Sequence, residues 1–236
     1  ALKGQDIIGQ AQTGTGKTAA FGLPMLNNIT NRKAISSIIL APTRELAIQV
    51  HDELVKLAKY EKLNVVAVYG GAPIHNQIRD IKRANIVVGT PGRVLDHIRR
   101  GTLPLDSVEF LVLDEADEML NMGFIDDMEE IMKSIPEERQ TLLFSATMPA
   151  QIKKLTKKYL KEDSVHIVIA RKELTGSTIT QNFFEVNNSE RFETLCRLID
   201  FDNPSAGIIF CKTKKGVDDL VSSMQSRGYM VEGMHG

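Results

Sequence analysis

The chain is poor in cysteine. Cys196 and Cys211 are the only two, and they form no CxxC pair. No grouping of histidines offers ligands at zinc-like spacing, so neither a disulfide scaffold nor a structural zinc site is expected. The two are read as buried free thiols of an intracellular protein. A charge excess is also missing: 29 Lys and Arg face 30 Asp and Glu, a formal net charge of −1. No global field would draw in a polyanion, so a nucleic acid would have to be held by a local set of donors and cations. No apolar run approaches the ~18 residues of a membrane helix, and no leader of the secretory type is seen. No membrane partner is expected, and cytoplasmic placement is the default. Internal repeats of solenoid length are absent as well.

What remains is an ordinary globular balance, 42% apolar and 25% charged over 236 residues, which exceeds one average domain and falls short of two large ones. Short β-rich runs alternate with amphipathic helical stretches, the pattern of parallel strands joined by crossover helices. The strands are expected at residues 6–9, 37–41, 64–69, 85–89, 108–114, 141–145 and 165–170. Unbroken runs such as Ile38-Ile39-Leu40 and Phe110-Leu111-Val112-Leu113 suit strands covered on both faces. Leu46, Val50, Leu54 and Leu57 share one helical face, and Ile152, Leu155, Tyr159 and Leu160 approximately share another. A polar stretch with a Gly-Ser pair at 171–179 reads as an interdomain linker. The pattern then restarts with strands at 181–186 and 207–211 and with helices carrying Phe192, Leu195, Cys196, Ile199 and then Val217, Leu220, Val221, Met224. Both ends of the chain read as cuts made inside a fold.

The strongest motif is Ala11-Gln12-Thr13-Gly14-Thr15-Gly16-Lys17-Thr18, placed between a strand and a helix. Gly14 and Gly16 let successive N–H groups turn toward phosphate oxygens, and the helix N-terminus adds its positive end. Lys17 can reach the β- and γ-phosphates, and the Thr18 hydroxyl can ligate Mg²⁺. The usual pattern opens with Gly, where this chain has Ala11. Asp114-Glu115-Ala116-Asp117 ends the most apolar strand, at the carboxyl edge where α/β sheets bind ligands. There Asp114 can hold the Mg²⁺ shell, in part through water, and Glu115 can orient the attacking water. Lys153, Lys154, Lys157, Lys158 and Lys161 read as a solvated face, and Asp126, Asp127, Glu129 and Glu130 as surface. Met119, Met122, Met128 and Met132 read as core filling.

The phosphate loop, Pro42-Thr43-Arg44-Glu45-Leu46-Ala47, Gly70-Gly71, Thr90-Pro91-Gly92-Arg93, Asp114-Glu115-Ala116-Asp117, Ser145-Ala146-Thr147 and Ile209-Phe210-Cys211-Lys212-Thr213 follow one another as in the DEAD-box ATP-dependent RNA helicases of superfamily 2. The chain resembles this family over its whole length, and its bland connectors resemble bacterial members. The resemblance implies an α/β fold: a near-complete RecA-like parallel sheet flanked by helices (1–170, its N-terminal part missing), the linker, and the truncated start of a second RecA-like domain (180–236). It implies ATP and Mg²⁺ as cofactors, with Lys17, Asp114 and Glu115 catalytic and residues 11–18 binding nucleotide. RNA would be gripped through its backbone by Pro42, Thr43, Arg44, Gly70, Gly71, Thr90, Pro91, Gly92 and Arg93, with Ser145, Ala146 and Thr147 coupling the two sites. Backbone contact without base readers predicts sequence-tolerant, salt-sensitive binding.

The family's adenine-recognising segment and its arginine finger lie outside these residues. Such a finger is worth about 10³–10⁵ in rate, so this segment alone is expected to hydrolyse ATP weakly or not at all, whereas the intact parent is expected to couple RNA-stimulated hydrolysis to local duplex unwinding or remodelling. An ATP-gated RNA clamp uses the same residues, and a DNA translocase is disfavoured by Asp117, where related groups carry His. A GTPase switch is disfavoured too, since no Asn-Lys-x-Asp reader of guanine is found. Ribosomal or RNA-decay protein partners are not readable from the sequence.

Overall fold

In the computed structural model, residues 1–12, 14–169, 180 and 182–235 are described. The chain divides into two units, 1–174 and 175–236. The proposed linker at 171–179 lies outside the described residues, as do Thr13 and Ala170.

All seven strands expected in the first unit form, each within two residues of its anticipated ends. They are β1 (Ile7–Gln10), β2 (Ser37–Leu40), β3 (Val65–Val68), β4 (Ile86–Gly89), β5 (Phe110–Leu113), β6 (Gln140–Ser145) and β7 (Val165–Val168). They make one sheet in the order β3-β4-β2-β5-β6-β1-β7, and every pairing is parallel. Parallel neighbours require crossovers. These are the helices α1 (Lys17–Asn28), α2 (Arg44–Leu57), α3 (Ile74–Ile81), α4 (Pro91–Arg99), α5 (Ala116–Asn121), α6 (Ile125–Lys133) and α7 (Ala150–Tyr159).

The period-two alternation of strand side chains divides the apolar runs between two cores. Ile38, Leu40, Leu111 and Leu113 face one layer, with Val94, Met119, Met128, Ile131 and Ile152. Ile39, Phe110 and Val112 face the other, with Phe21, Met25, Val50 and Leu54. Burial of both faces is why these strands carry no polar alternation. At the edge, β7 is exposed throughout. Of the four methionines expected in the core, Met119, Met128 and Met132 are buried, but Met122 is 50% exposed. It caps the C-terminal end of α5, beyond the face that packs on the sheet.

Two of the acidic residues expected on the surface join helices there. Glu129 of α6 accepts from Lys158 Nζ at 2.5 Å and Tyr159 Oη at 3.0 Å in the α7 stretch. Glu130 takes both a 3.1 Å and a 2.9 Å bond from Arg99 of α4. The lysines 153, 154, 157, 158 and 161 are all exposed.

Close approach explains one glycine. A Cβ on Gly89 would sit 2.6 Å from both Val68 Cγ2 and Val94 Cγ2 and 2.7 Å from the Val68 carbonyl oxygen. Backbone of a paired strand cannot yield as a side-chain tip can. Gly89→Ala is therefore expected to destabilise the protein by about 1–3 kcal/mol through overpacking. The measure is a lower denaturant midpoint at unchanged m-value; an unchanged midpoint would mean that β3 and α4 sit more loosely than described.

In the second unit, α8 (Arg191–Asp202) and α9 (Lys214–Ser226) bury Cys196 and Met224, and Tyr229 Oη donates to Asp200 Oδ1 at 2.6 Å. Arg227 pairs with Glu193 at 2.8 Å and covers the Phe192 ring. Cys196 is buried as expected, whereas Cys211 is only half-buried. The strands anticipated at 181–186 and 207–211 are not strands among the described residues. A strand is defined by its ladder, and no neighbour pairs with these runs there; Ile208 and Phe210 stand 83% and 92% exposed. Among the described residues, no helix is long and apolar enough to cross a membrane.

Candidate functional site

Because every strand runs the same way, the turn after each one emerges at the same edge of the sheet. The sheet order sorts these turns into two groups. Those after β1, β5 and β6 carry the phosphate loop, the acidic motif and Ser145-Ala146-Thr147. Those after β2, β3 and β4 carry the three candidate RNA segments. The groups meet at the β2–β5 pair.

The phosphate loop is held below by the sheet: Ala11 N–H donates to the Ser145 carbonyl at 3.0 Å, and Gln10 Nε2 reaches the Ala146 carbonyl at 3.4 Å. Gly14 and Gly16 have φ of 81° and 84°, the left-handed region in which a Cβ is penalised. Gly16 is the N-cap of α1, and among the described residues no side-chain cap bond is made there, which leaves first-turn N–H groups available to an anion. Thr15 Oγ1 closes the turn onto the Gln12 carbonyl at 2.8 Å. Lys17 and the half-buried Thr18 are the first two residues of α1. Thr13 lies outside the described residues.

Lys17 is buried, and its Nζ lies 3.4 Å from Asp114 Oδ1 and 3.6 Å from Glu115 Oε1. This single ammonium joins the loop after β1 to the tip of β5 across the intervening β6. Burial pushes the Asp114 carboxyl above the ordinary carboxylate range, opposed by the Lys17 charge and reinforced by Glu115. Among the described residues Asp114 Oδ1 is buried with no partner at hydrogen-bond geometry, so Lys17 acts on it chiefly as a charge. Glu115 holds φ 54° and ψ 53°, a non-glycine residue in the left-handed region and a form of strain concentrated at functional sites.

Asp117 binds the third turn. It accepts from Thr147 N–H at 2.8 Å, Thr147 Oγ1 at 2.7 Å and Ala146 N–H at 3.4 Å, while its own N–H donates to Ser145 Oγ at 3.2 Å. Burial alone would raise its carboxyl, but the hydrogen bonds led by the Thr147 hydroxyl outweigh it and hold the group below the ordinary range. Ser145-Ala146-Thr147 reads in sequence as a small polar turn; the structure makes it the partner of the acidic motif.

Among the RNA candidates, Thr43 caps α2, its Oγ1 accepting from Leu46 N–H at 3.2 Å. Arg44 is exposed, with its guanidinium 5.0 Å from the Tyr69 ring centroid. Gly70 and Gly71 are exposed, Gly71 with φ 83°. Thr90 is half-buried and Gly92 exposed. Pro42 and Pro91 are buried, so they shape their turns and offer little surface. Arg93 is largely committed inward: Nη1 donates to the Ala72 carbonyl at 3.0 Å and to Gln77 Oε1 at 3.1 Å. Gln77 gives no signal in the sequence, being one polar residue on an amphipathic helix.

A family model described as DEAD/DEAH box helicase matches residues 1–155. The chain is 52% identical over 238 aligned positions to the DEAD-box ATP-dependent RNA helicase CshA of Bacillus cereus (strain ATCC 10987 / NRS 248), covering all of this chain and 45% of that protein. It is 55% identical over 237 positions to the ATP-dependent RNA helicase CshA of Listeria monocytogenes, again covering all of this chain and 45% of the relative. Among solved structures it resembles a DEAD box protein from the hyperthermophile Methanococcus jannaschii (TM-score 0.68, 48% identity, 98% of this chain and 62% of that one). A hypothetical ATP-dependent RNA helicase from Sulfolobus tokodaii is also similar (TM-score 0.66, 40% identity, 71% and 49%). The chain thus spans less than half the length of the curated relatives it matches. With identities this high and a family model spanning well over half of the residues, the chain belongs to the DEAD/DEAH box helicases.

Proposed function

We propose that this chain is the nucleotide-hydrolysing portion of an ATP-dependent RNA helicase, in which ATP hydrolysis is coupled to the grip on a single RNA strand. The observation that carries the reading is the shared ammonium of Lys17, which puts the phosphate loop and both carboxylates at one place. The open amides of the first turn of α1 and Lys17 bind the triphosphate. Asp114 and Thr18 would hold Mg²⁺, and Glu115 would orient the attacking water. The residues suit that ion: among the described residues Asp114 Oδ1 is a buried acceptor with no hydrogen-bond partner, and no group of three His, Cys, Asp or Glu could cage a metal unaided. Few protein ligands, with nucleotide and water filling the rest, is the way Mg²⁺ is ordinarily held. Bound there, the ion would neutralise charge on the phosphates.

Lys17 and Asp114 neutralise one another without nucleotide, and each would exchange its partner on binding, Lys17 for phosphate and Asp114 for the cation. Since Asp117 fixes the turn at 145–147, a shift of the acidic motif would move that turn with it, supporting its coupling role. RNA is held at the neighbouring turns by the hydroxyls of Thr43 and Thr90, the Arg44 charge and close backbone approach at Gly70, Gly71 and Gly92.

The test is ATP turnover by the full-length protein carrying this segment, with length-matched single-stranded RNA and DNA. RNA should stimulate turnover with little sequence preference and with loss at higher salt, and DNA should not. Equal stimulation by DNA would replace the reading with a DNA translocase; stimulation by neither would remove it.

A further inference from the structure

Beneath the turn carrying Gly70 and Gly71 lies a buried polar node that the scheme above does not use. Gln77 of α3 is 6% exposed and His97 of α4 is fully buried. Gln77 Nε2 donates to the Tyr69 carbonyl at 3.0 Å. Its Oε1 accepts from Arg93 Nη1 at 3.1 Å and lies 3.0 Å from His97 Nε2. The same Arg93 Nη1 donates to the Ala72 carbonyl at 3.0 Å, and His97 Nδ1 lies 2.8 Å from Thr102 Oγ1.

The donors and acceptors fix one arrangement. Turning the Gln77 amide over would set its NH₂ against the guanidinium and point its oxygen at the Tyr69 carbonyl. With Oε1 an acceptor, His97 carries its proton on Nε2. Burial, and then the Arg93 charge, hold the imidazole below its ordinary basicity, in keeping with that neutral form. One carboxamide therefore holds carbonyl 69 directly and carbonyl 72 through Arg93, the two ends of the Gly-Gly turn. It also holds the arginine of the turn at 90–93, and the ring of Tyr69 carries Arg44. A leucine of similar volume could fill the space. It could neither donate to the Tyr69 carbonyl nor hold Arg93 against the Ala72 carbonyl, and an unpaired buried polar group would remain.

We propose that Gln77 is a positioning residue for RNA: it locks the turn at 69–72 to the turn at 90–93 so that both meet the RNA backbone as one rigid unit. Arg93 serves RNA binding as part of this lock rather than as a free charge. The inference rests on the RNA reading above.

The test measures binding of a fluorescein-labelled single-stranded oligouridylate to the chain by anisotropy, beside binding of a fluorescent ADP. Gln77→Leu should weaken RNA binding about tenfold and change nucleotide affinity less than twofold. Gln77→Glu should fall between, since a carboxylate still accepts from Arg93 and His97 but cannot donate to the Tyr69 carbonyl. Gln77→Leu combined with Arg93→Met should lose no more RNA affinity than the worse single variant, because both break one lock. Ile152→Ala, a core truncation elsewhere, should leave RNA affinity unchanged below its unfolding transition. RNA binding of Gln77→Leu at the wild-type level, or additive losses in the double variant, would overturn the proposal. Should Gln77→Leu not fold, wild-type RNA affinity in Gln77→Glu overturns it equally. A wild-type chain that binds ADP but not the oligonucleotide removes the RNA reading itself, and this inference with it.

Discussion

Lys17→Ala is expected to weaken ATP binding about 10²–10⁴-fold, the loss of charge-assisted bonds to two phosphates at roughly 1.5–3 kcal/mol each. The same substitution should destabilise the nucleotide-free protein, because it strips Asp114 and Glu115 of their shared cation. Removing one partner of a buried ion pair costs about 3 kcal/mol or more, and only a fully ionised carboxylate incurs it. The sign of the pH dependence follows. Burial already raises the Asp114 carboxyl in the folded state, and the Lys17 charge is the main influence holding it down, so the variant carboxyl rises further. A carboxyl raised on folding costs stability as pH climbs from the unfolded value of 3.8 to the folded value, beyond which the cost is complete. The deficit of Lys17→Ala relative to wild type should therefore be small near pH 4 and grow toward neutrality. Denaturant midpoints at several pH values, with nucleotide titrations, measure both effects. A pH-independent deficit would show that Asp114 is not the group left uncompensated.

Glu115→Gln should separate binding from chemistry. The amide keeps the size of the side chain and the left-handed backbone at this position, and Lys17 keeps Asp114 as its partner, so nucleotide affinity should stay within about threefold of wild type. What is lost is the carboxylate that orients and polarises water, a contribution of about 10²–10⁴ in rate. In the full-length protein, single-turnover hydrolysis should fall by that factor while bound ATP and RNA persist together. An affinity loss as large as that of Lys17→Ala would place Glu115 in nucleotide binding and remove its proposed role.

Much of the first unit was legible without coordinates because the signals are local. The unbroken apolar runs of β2 and β5 and the Gly-Lys-Thr opening of α1 depend only on neighbours a few residues away. Failures have equally local explanations. Residues 207–211 carry the composition of a strand, but a strand needs a partner, and among the described residues the run has none. Met122 continues the methionine spacing yet lies just past the end of α5, where the helix no longer faces the sheet.

By itself, then, the sequence determined the parallel α/β class, the phosphate loop and the acidic strand end, since each is written in a few consecutive residues whose backbone preferences and polarity act at short range. Only the tertiary structure decided that β6 stands between β1 and β5, so that Lys17 meets Asp114 and Glu115, that Asp117 holds Ser145-Ala146-Thr147, and that Gln77 ties two turns together. Those contacts join residues remote along the chain, and they exist because a parallel sheet must pass through crossovers that bring distant turns to one edge.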